Sequence, residues 1–279
     1  MAGTLFVVAT PIGHLDDITL RALRVLRDVA LVAAEDTRRT GNLLRHFGIP
    51  TRLMSLHAHN EHTRAAGLIE LLRRGQSVAL VSDAGTPGIS DPGATLVRLA
   101  RLNQIRVEPV PGASAVAAAM SVAGLDDGAF TFLGFPPVRS KDRNSWLARC
   151  ERMSHDAAIV FFEAPHRIRQ TLADLRFLGN HPIYIFRELT KLHEETLAGP
   201  IDELSARLDQ PQGEFTVVIP ALPQSHSEAT ALDKEQIQKE FYQMTSIGAS
   251  SRREIARQVG RKFGVSTKQV YELTKDQSQ

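Results

Sequence analysis

Short apolar runs alternate with amphipathic stretches through the first 125 residues. Strands are predicted at 5–8, 30–34, near 52–56, at 78–81 and at 107–110, and the apolar run at 78–81 is suited to a buried strand. Between them apolar positions recur at helical spacing, most plainly at Ala65, Leu68, Ile69 and Leu72 ahead of Gly75. Helices are predicted over 18–28 with Asp16 or Asp17 as cap, through Asn42, Leu43, Leu44 and Phe47 until Gly48 and Pro50, over 94–102, and from Ala115 to a stop at Gly124. Five strand-loop-helix units in succession predict an α/β fold, with a mostly parallel sheet covered by helices on both faces. Its ligand crevice belongs at the carboxyl ends of the strands.

The rhythm changes at FTFLGF, residues 130–135, and a domain boundary is expected within 126–129. A helix over 144–153 follows, then strands at 157–162, 183–186, 194–197 and 215–219, with helices running to Leu178 and over 201–208. A hairpin-like link at 191–193 makes this second sheet mixed. The end of the chain reads as three helices. The first covers 232–242, the second opens on a Ser251/Glu254 capping box and stops at Gly264, and the third is capped by Ser266 with Gln269. The expected division is 1–125 for an N-terminal α/β domain, 126–223 for a mixed α/β domain, and 224–279 for a helix-turn-helix-like appendage.

Composition adds limits. The chain has 279 residues, 43% hydrophobic and 23% charged, so it is long and apolar enough for two globular domains. Nothing reaches the apolar length of a membrane span, and the N-terminus enters a strand-like run without a basic leader or cleavage-type site, so a cytoplasmic protein with no membrane partner is expected. A single cysteine, Cys150, excludes an internal disulfide and a multi-cysteine zinc site. The net charge is only +2, and the basic excess sits in the tail: Arg252, Arg253, Arg257, Arg261, Lys262, Lys268 and Lys275 against Glu254 and Glu272. That pattern permits contact with nucleic acid, and equally a solvated helical appendage.

Candidate chemistry centres on VALVSDAGTPGISDPG, residues 78–93, where a strand breaks into a loop with five Gly or Pro residues. Such a loop lets a ligand approach the backbone closely. No G-x-G-x-x-G follows a strand and no GxxxxGK is present, which argues against the usual dinucleotide and phosphate-loop sites. The turn Glu35-Asp36-Thr37-Arg38-Arg39 is heavily charged at a strand end, which is costly to bury unless used. Glu35, Asp36 and Arg38 are therefore the leading residues for acting on a substrate, with a structural ion pair as the alternative. Further polar candidates at strand ends are His57, His166, Arg167, Arg187 and Glu188. The His57, His59 and His62 spacing has no fixed metal geometry and runs into a helix near Asn60, so a polar loop lining the crevice is expected and no metal. Trp146, Phe161 and Phe162 have core-like spacing, and Arg139, Lys141 and Arg143 read as a solvated linker before they read as phosphate contacts.

The segments ATPIGHLDD, AAEDTRRTGNLL, SLHAHNE, VSDAGTPGISDPG, PGASA, FLGFPP, FFEAPHR, RELTKLHEE and GEFTVVI, in this order, resemble the ribosomal RNA small subunit 2'-O-methyltransferase I family, a branch of the tetrapyrrole methylase superfamily. The resemblance covers about residues 5–222. It implies a two-domain homodimer that methylates the ribose 2'-hydroxyl of a cytidine in the decoding region of 16S rRNA, within the small ribosomal subunit or as free RNA, with S-adenosylmethionine as cofactor. Carried over by motif, the cofactor contacts fall on Pro11 and Gly13, on Asp83, Ala84, Gly85, Thr86, Pro87, Gly88 and Ile89, on Ser114 and Ala115, and on Phe162 and Glu163. Thr86 stands where the wider superfamily has Asp, which fits the RNA branch and speaks against a precorrin-type substrate. Two competing readings follow: a tetrapyrrole C-methyltransferase, and a ligand-sensing helix-turn-helix regulator.

Overall fold

The structure, a computed structural model, describes residues 2–126, 128–208, 211–222, 231–246, 251–263 and 265–274. Gly264 and Lys275, named above as a helix stop and part of the basic set, lie outside them. The chain forms two compact units, 1–222 and 223–279.

The first sheet comprises β1 (Leu5–Val8), β2 (Leu31–Ala34), β3 (Leu53–Ser55), β4 (Val78–Val81) and β5 (Val107–Val110) in the order β3-β2-β4-β1-β5. Every pairing in it is parallel. Strands β2 and β4 are buried at all four positions, as a sheet covered on both faces requires. Alternation then assigns the faces. Val78 and Leu80 pack with Leu68, Leu72 and Leu96 of α3 (Glu61–Arg73) and α4 (Ala94–Leu102). Ala79 and Val81 pack with Leu26 and Leu44 of α1 (Leu20–Asp28) and α2 (Thr37–His46). One detail differs from expectation: Thr19, not Asp16 or Asp17, caps α1. Its hydroxyl accepts from the Ala22 N–H at 3.0 Å, while the two aspartates sit in a short 3₁₀ turn before it.

The second sheet comprises β6 (Phe130–Phe132), β7 (Ala158–Glu163), β8 (Ile183–Arg187), β9 (Glu195–Gly199) and β10 (Phe215–Ile219), ordered β6-β7-β10-β8-β9. β6 runs parallel to β7 and the remaining pairs are antiparallel, giving the mixed sheet that the hairpin predicted. One face is covered by α6 (Ser140–Ser154), α7 (Ile168–Asp174) and α8 (Ile201–Arg207). Trp146 is buried edge-on to Phe161 at 5.2 Å and donates its indole N–H to the Leu133 carbonyl, so both serve packing. The opposite face is covered by α5 (Ala115–Val122), whose Val116 and Ala119 meet Val160, Phe186 and Val218. That helix follows the last strand of the first sheet yet buries its apolar side on the second. The two sheets are thereby joined into one unit.

The second unit is a three-helix cluster of α9 (Ala231–Ser246), α10 (Arg252–Phe263) and α11 (Thr267–Leu273) around Ile237, Phe241, Ile255, Val259 and Val270. Ser266 and Gln269 form the expected capping box on α11.

Candidate functional site

The loops that leave the carboxyl ends of β1 and β4 are joined. Thr10 and Gly85 exchange both backbone hydrogen bonds, at 2.9 and 3.0 Å, and the Thr10 hydroxyl donates to the Ser82 carbonyl. The Thr86 hydroxyl reaches the Ala113 carbonyl at 3.4 Å, tying in the loop after β5. Gly85 holds φ at +76°, which a side chain with a Cβ rarely adopts. A third link joins β2 to β4. The Asp36 N–H donates to Asp83 Oδ1 at 2.9 Å, and the Asp83 backbone N–H hydrogen-bonds the Glu35 carboxylate.

These loops form one wall of a cavity of about 410 Å³, and the ends of β7 and β10 form the other. Of the residues the sequence assigned to a cofactor, Asp83, Ala84, Gly85, Thr86, Ile89, Ser114, Ala115, Phe162 and Glu163 all line it. Pro11 and Gly13 line a neighbouring cavity of about 450 Å³. Pro87 and Gly88 face a third, largely apolar one beside β1, β4 and β5. At Gly13 a Cβ would fall 2.5 Å from Lys191 Cγ and 2.6 Å from Thr190 Oγ1. The first loop thus rests directly on the β8–β9 hairpin, where the His14 N–H also donates to Thr190 Oγ1 at 3.1 Å.

The charged turn after β2 divides its labour. Glu35 enters the 410 Å³ cavity. Burial there raises its carboxyl above the ordinary carboxylate range, and the charge of Asp83 adds to this; the Asp83 N–H, Arg39 and His57 pull the other way. Asp36 and Arg38 line neither of the first two cavities. Asp36 is the N-cap of α2, accepting from the Arg38 N–H at 2.8 Å and from its guanidinium at 2.7 Å, which holds the Asp36 carboxyl well below its usual range. The Arg38 side chain is otherwise in solvent.

The polar strand-end candidates mostly hold the fold. Glu163 is fully buried and accepts from the Ala164 N–H, Arg167 and Thr171 Oγ1 at 2.5–2.8 Å. Arg187 is engaged by the Gln212 carbonyl and Glu195. Glu188 takes the unusual φ of +52° and binds Lys191 and the Glu214 N–H. His57 lines neither of the first two cavities and turns its Nε2 to the Asn60 amide at 3.1 Å, while His166 is exposed.

Asp91 and Arg39 are among the cavity residues that the sequence does not single out. Asp91 lines the cavity, and burial raises its carboxyl to about 6; the Ser82 hydroxyl opposes this, and the charges of Glu35, Asp83 and Glu214 add to it. Its signal was the second Ser-Asp pair in the same loop, Ser90-Asp91 echoing Ser82-Asp83. Arg39 lines both the 410 and the 450 Å³ cavity where Arg38 lines neither. Helical phase separates them, since Thr40 and Leu44 mark the buried side of α2 and Arg39 lies about 100° from Thr40 around the helix where Arg38 lies about 200° away.

Residues 4–205 match the family of tetrapyrrole (corrin/porphyrin) methylases. The fold agrees: a crystal structure of uroporphyrin-III C-methyltransferase from Thermus thermophilus, complexed with S-adenosyl homocysteine, superposes with a TM-score of 0.57 at 16% identity, over 77% of this chain and 96% of that one. Closer in sequence is a Pseudomonas aeruginosa protein named ribosomal RNA small subunit methyltransferase I, 50% identical over 224 residues, 78% of this chain and 79% of its own. A Micromonospora olivasterospora protein of the same name is 43% identical over 97% of this chain and 86% of its own. The chain belongs to the tetrapyrrole methylase family and, within it, to the ribosomal RNA small subunit methyltransferase I proteins.

Proposed function

We propose that this chain transfers a methyl group from S-adenosylmethionine to small-subunit ribosomal RNA, at the ribose 2'-hydroxyl of a cytidine in the decoding region, and does so as a cytoplasmic homodimer. The observation that carries the reading is the 410 Å³ cavity between the bonded β1 and β4 loops and the second sheet, in a chain of this family. Its volume is within the range of small-molecule sites, about 300–1,000 Å³. Its lining suits the cofactor's parts. Ile12, Ile89, Val116 and Phe162 offer apolar surface, and Glu35, Asp83 and Asp91 offer carboxyl groups favourable to a cation. The Gly85–Thr86 backbone, the start of α5 at Ser114 and Ala115, and the Phe162–Glu163 turn are the residues that would hold it.

S-adenosylmethionine supplies a methyl group already activated by positive sulfur. The chain's own residues then have two tasks, position and proton removal. A ribose hydroxyl is a weak acid, and Glu35, more basic than an ordinary carboxylate, is the group assigned to take its proton. Asp36 and Arg38 serve this indirectly by starting α2 at the right place, so that Glu35 and Arg39 face the cavity.

The test is incubation with methyl-labelled S-adenosylmethionine and, separately, free 16S rRNA, small subunits lacking the modification, and uroporphyrinogen. Label on a ribose 2'-oxygen is expected. Label on the tetrapyrrole and none on RNA would overturn the proposal. The regulator reading is favoured instead if the chain transfers nothing and binds one duplex sequence selectively.

A further inference from the structure

The 450 Å³ cavity adjoins the cofactor cavity: Ile12, Arg39, Asp83, Ala84 and Glu214 line both. One of its walls is a single face of α2, with Arg39, Asn42, Leu43 and His46 at helical spacing i, i+3, i+4 and i+7. The first loop, Pro11 to Gly13 with Leu15, and Lys191 of the hairpin also line it. Two of the residues on that helix face, Asn42 and His46, are polar, exposed and absent from the cofactor cavity.

We infer that this cavity is the acceptor-nucleotide pocket, taking one unstacked nucleotide of the RNA with its ribose at the wall shared with the cofactor cavity. The inference rests on the proposed function and names the site of its second substrate.

The chemistry of the lining selects a single nucleotide. Lys191 is committed to Glu188 at 2.8 Å and Glu214 at 2.9 Å. Arg39 is different. Its nearest carboxylate, Asp83, lies at 3.7 Å, beyond hydrogen-bond distance, and its side chain is 65% exposed. An open guanidinium at the mouth matches one phosphodiester, to which it can donate in pairs. A polycarboxylate such as a tetrapyrrole would bring several anions toward Asp83 and Glu214, which the field of those residues disfavours. Recognition of the base falls to Asn42 and His46 on the exposed face of α2. The Asn42 carbonyl oxygen accepts from Arg45 Nη1 at 2.9 Å, which leaves its NH₂ to donate to an acceptor on a base edge. The His46 ring stands edge-on to Phe47 at 4.7 Å, leaving a flat face for stacking. An enzyme that acts on one nucleotide within a folded RNA has to draw it out of its stack, and a pocket open on one side accommodates that.

The test uses the full-length protein with Asn42→Trp, which fills the pocket from an exposed position, and His46→Ala, which removes the stacking face. S-adenosylmethionine affinity by calorimetry should stay within twofold of wild type for both, because neither residue lines the cofactor cavity. Binding of cytidine 5'-monophosphate in the presence of S-adenosylhomocysteine should weaken at least tenfold. So should kcat/KM for methylation of small subunits. Nucleotide binding and kcat/KM within twofold of wild type in both variants would overturn the pocket, as would no saturable nucleotide binding by the wild type. Nucleotide binding lost in the variants, with no methyl transfer to RNA by the wild type, would sustain the pocket while the proposed function fails.

Discussion

Thr10 and Gly85 pair backbone to backbone across two loops 75 positions apart in sequence, and this pair is what makes one cavity wall from two strand ends. The pairing depends on the +76° φ of Gly85 more than on space, since a Cβ there would meet Ile12 Cγ2 at 3.4 Å, an ordinary contact. Gly85→Ala is therefore expected to cost about 1–2 kcal/mol through the backbone. For a unit of this size that lowers Tm by very roughly 2–8 °C. Affinity for S-adenosylmethionine should fall with it. A Gly85→Ala variant that melts with the wild type would show that the loop tolerates another conformation.

Much of this site was legible because strand ends in α/β folds are marked by abrupt changes in residue type. The runs at 78–81, 107–110 and 215–219 appear as strands with those bounds; the first and last are compact apolar runs, while 107–110 carries Glu108 and Pro109 and is marked by the Pro111-Gly112 turn that follows it. The reading of Gly85 as a position of close ligand approach missed its backbone role, because φ is a property of the paired loops and not of the local sequence. Helix α5 was equally opaque. Five of its eight residues are Ala or Ser, and so weak an amphipathic pattern gives no direction, so its packing on the second sheet had no local signal. Arg38 and Arg39 are adjacent and chemically alike, so residue type does not separate them and only their phase on α2 does.

Asp91 sets a pH dependence whose sign is fixed by its environment. Burial raises its carboxyl from an ordinary 3.8 to about 6, so the folded state holds the proton more tightly than the unfolded chain. The stability this gives is fully present below pH 3.8 and is lost as pH rises through about 6. The loss is limited by partial solvent access to about 1 kcal/mol. Asp91→Asn removes the titration, so its Tm relative to wild type should rise between pH 4 and 7. Parallel melting curves for the two proteins over that range would refute the assignment.

Glu163 lines the cofactor cavity, yet its carboxylate is taken up by Arg167, Thr171 and the Ala164 N–H. The side chain is expected to hold the turn and not the cofactor. Glu163→Ala leaves a largely buried guanidinium without its partner, a loss of about 3–5 kcal/mol, readable as a lowered urea midpoint. Cofactor affinity of the folded fraction should be nearly unchanged. Normal stability with lost affinity would assign the carboxylate to the ligand instead.

The helical tail offers an excess of positive charge, where the 410 and 450 Å³ cavities together are lined by more carboxyl groups than cations. Within 251–274 six Lys and Arg residues face two Glu, while the chain as a whole carries only +2. Arg253 and Arg257 lie one turn apart on α10, both exposed. Lys262, by contrast, is engaged with Glu240, and the Arg252 guanidinium lies over the Phe241 ring at 5.8 Å. If the first two reach phosphates, each contact to single-stranded RNA adds about 0.7 to the slope of log affinity against log salt. Replacing both by Ala should then reduce the slope for 16S rRNA by about 1.4, measured by filter binding between 50 and 200 mM salt. The slope is the decisive quantity, because loss of a structural contact would weaken binding at every salt concentration alike. An unchanged slope would make the tail a bystander in RNA binding and leave recognition to the α2 face and its neighbouring loops.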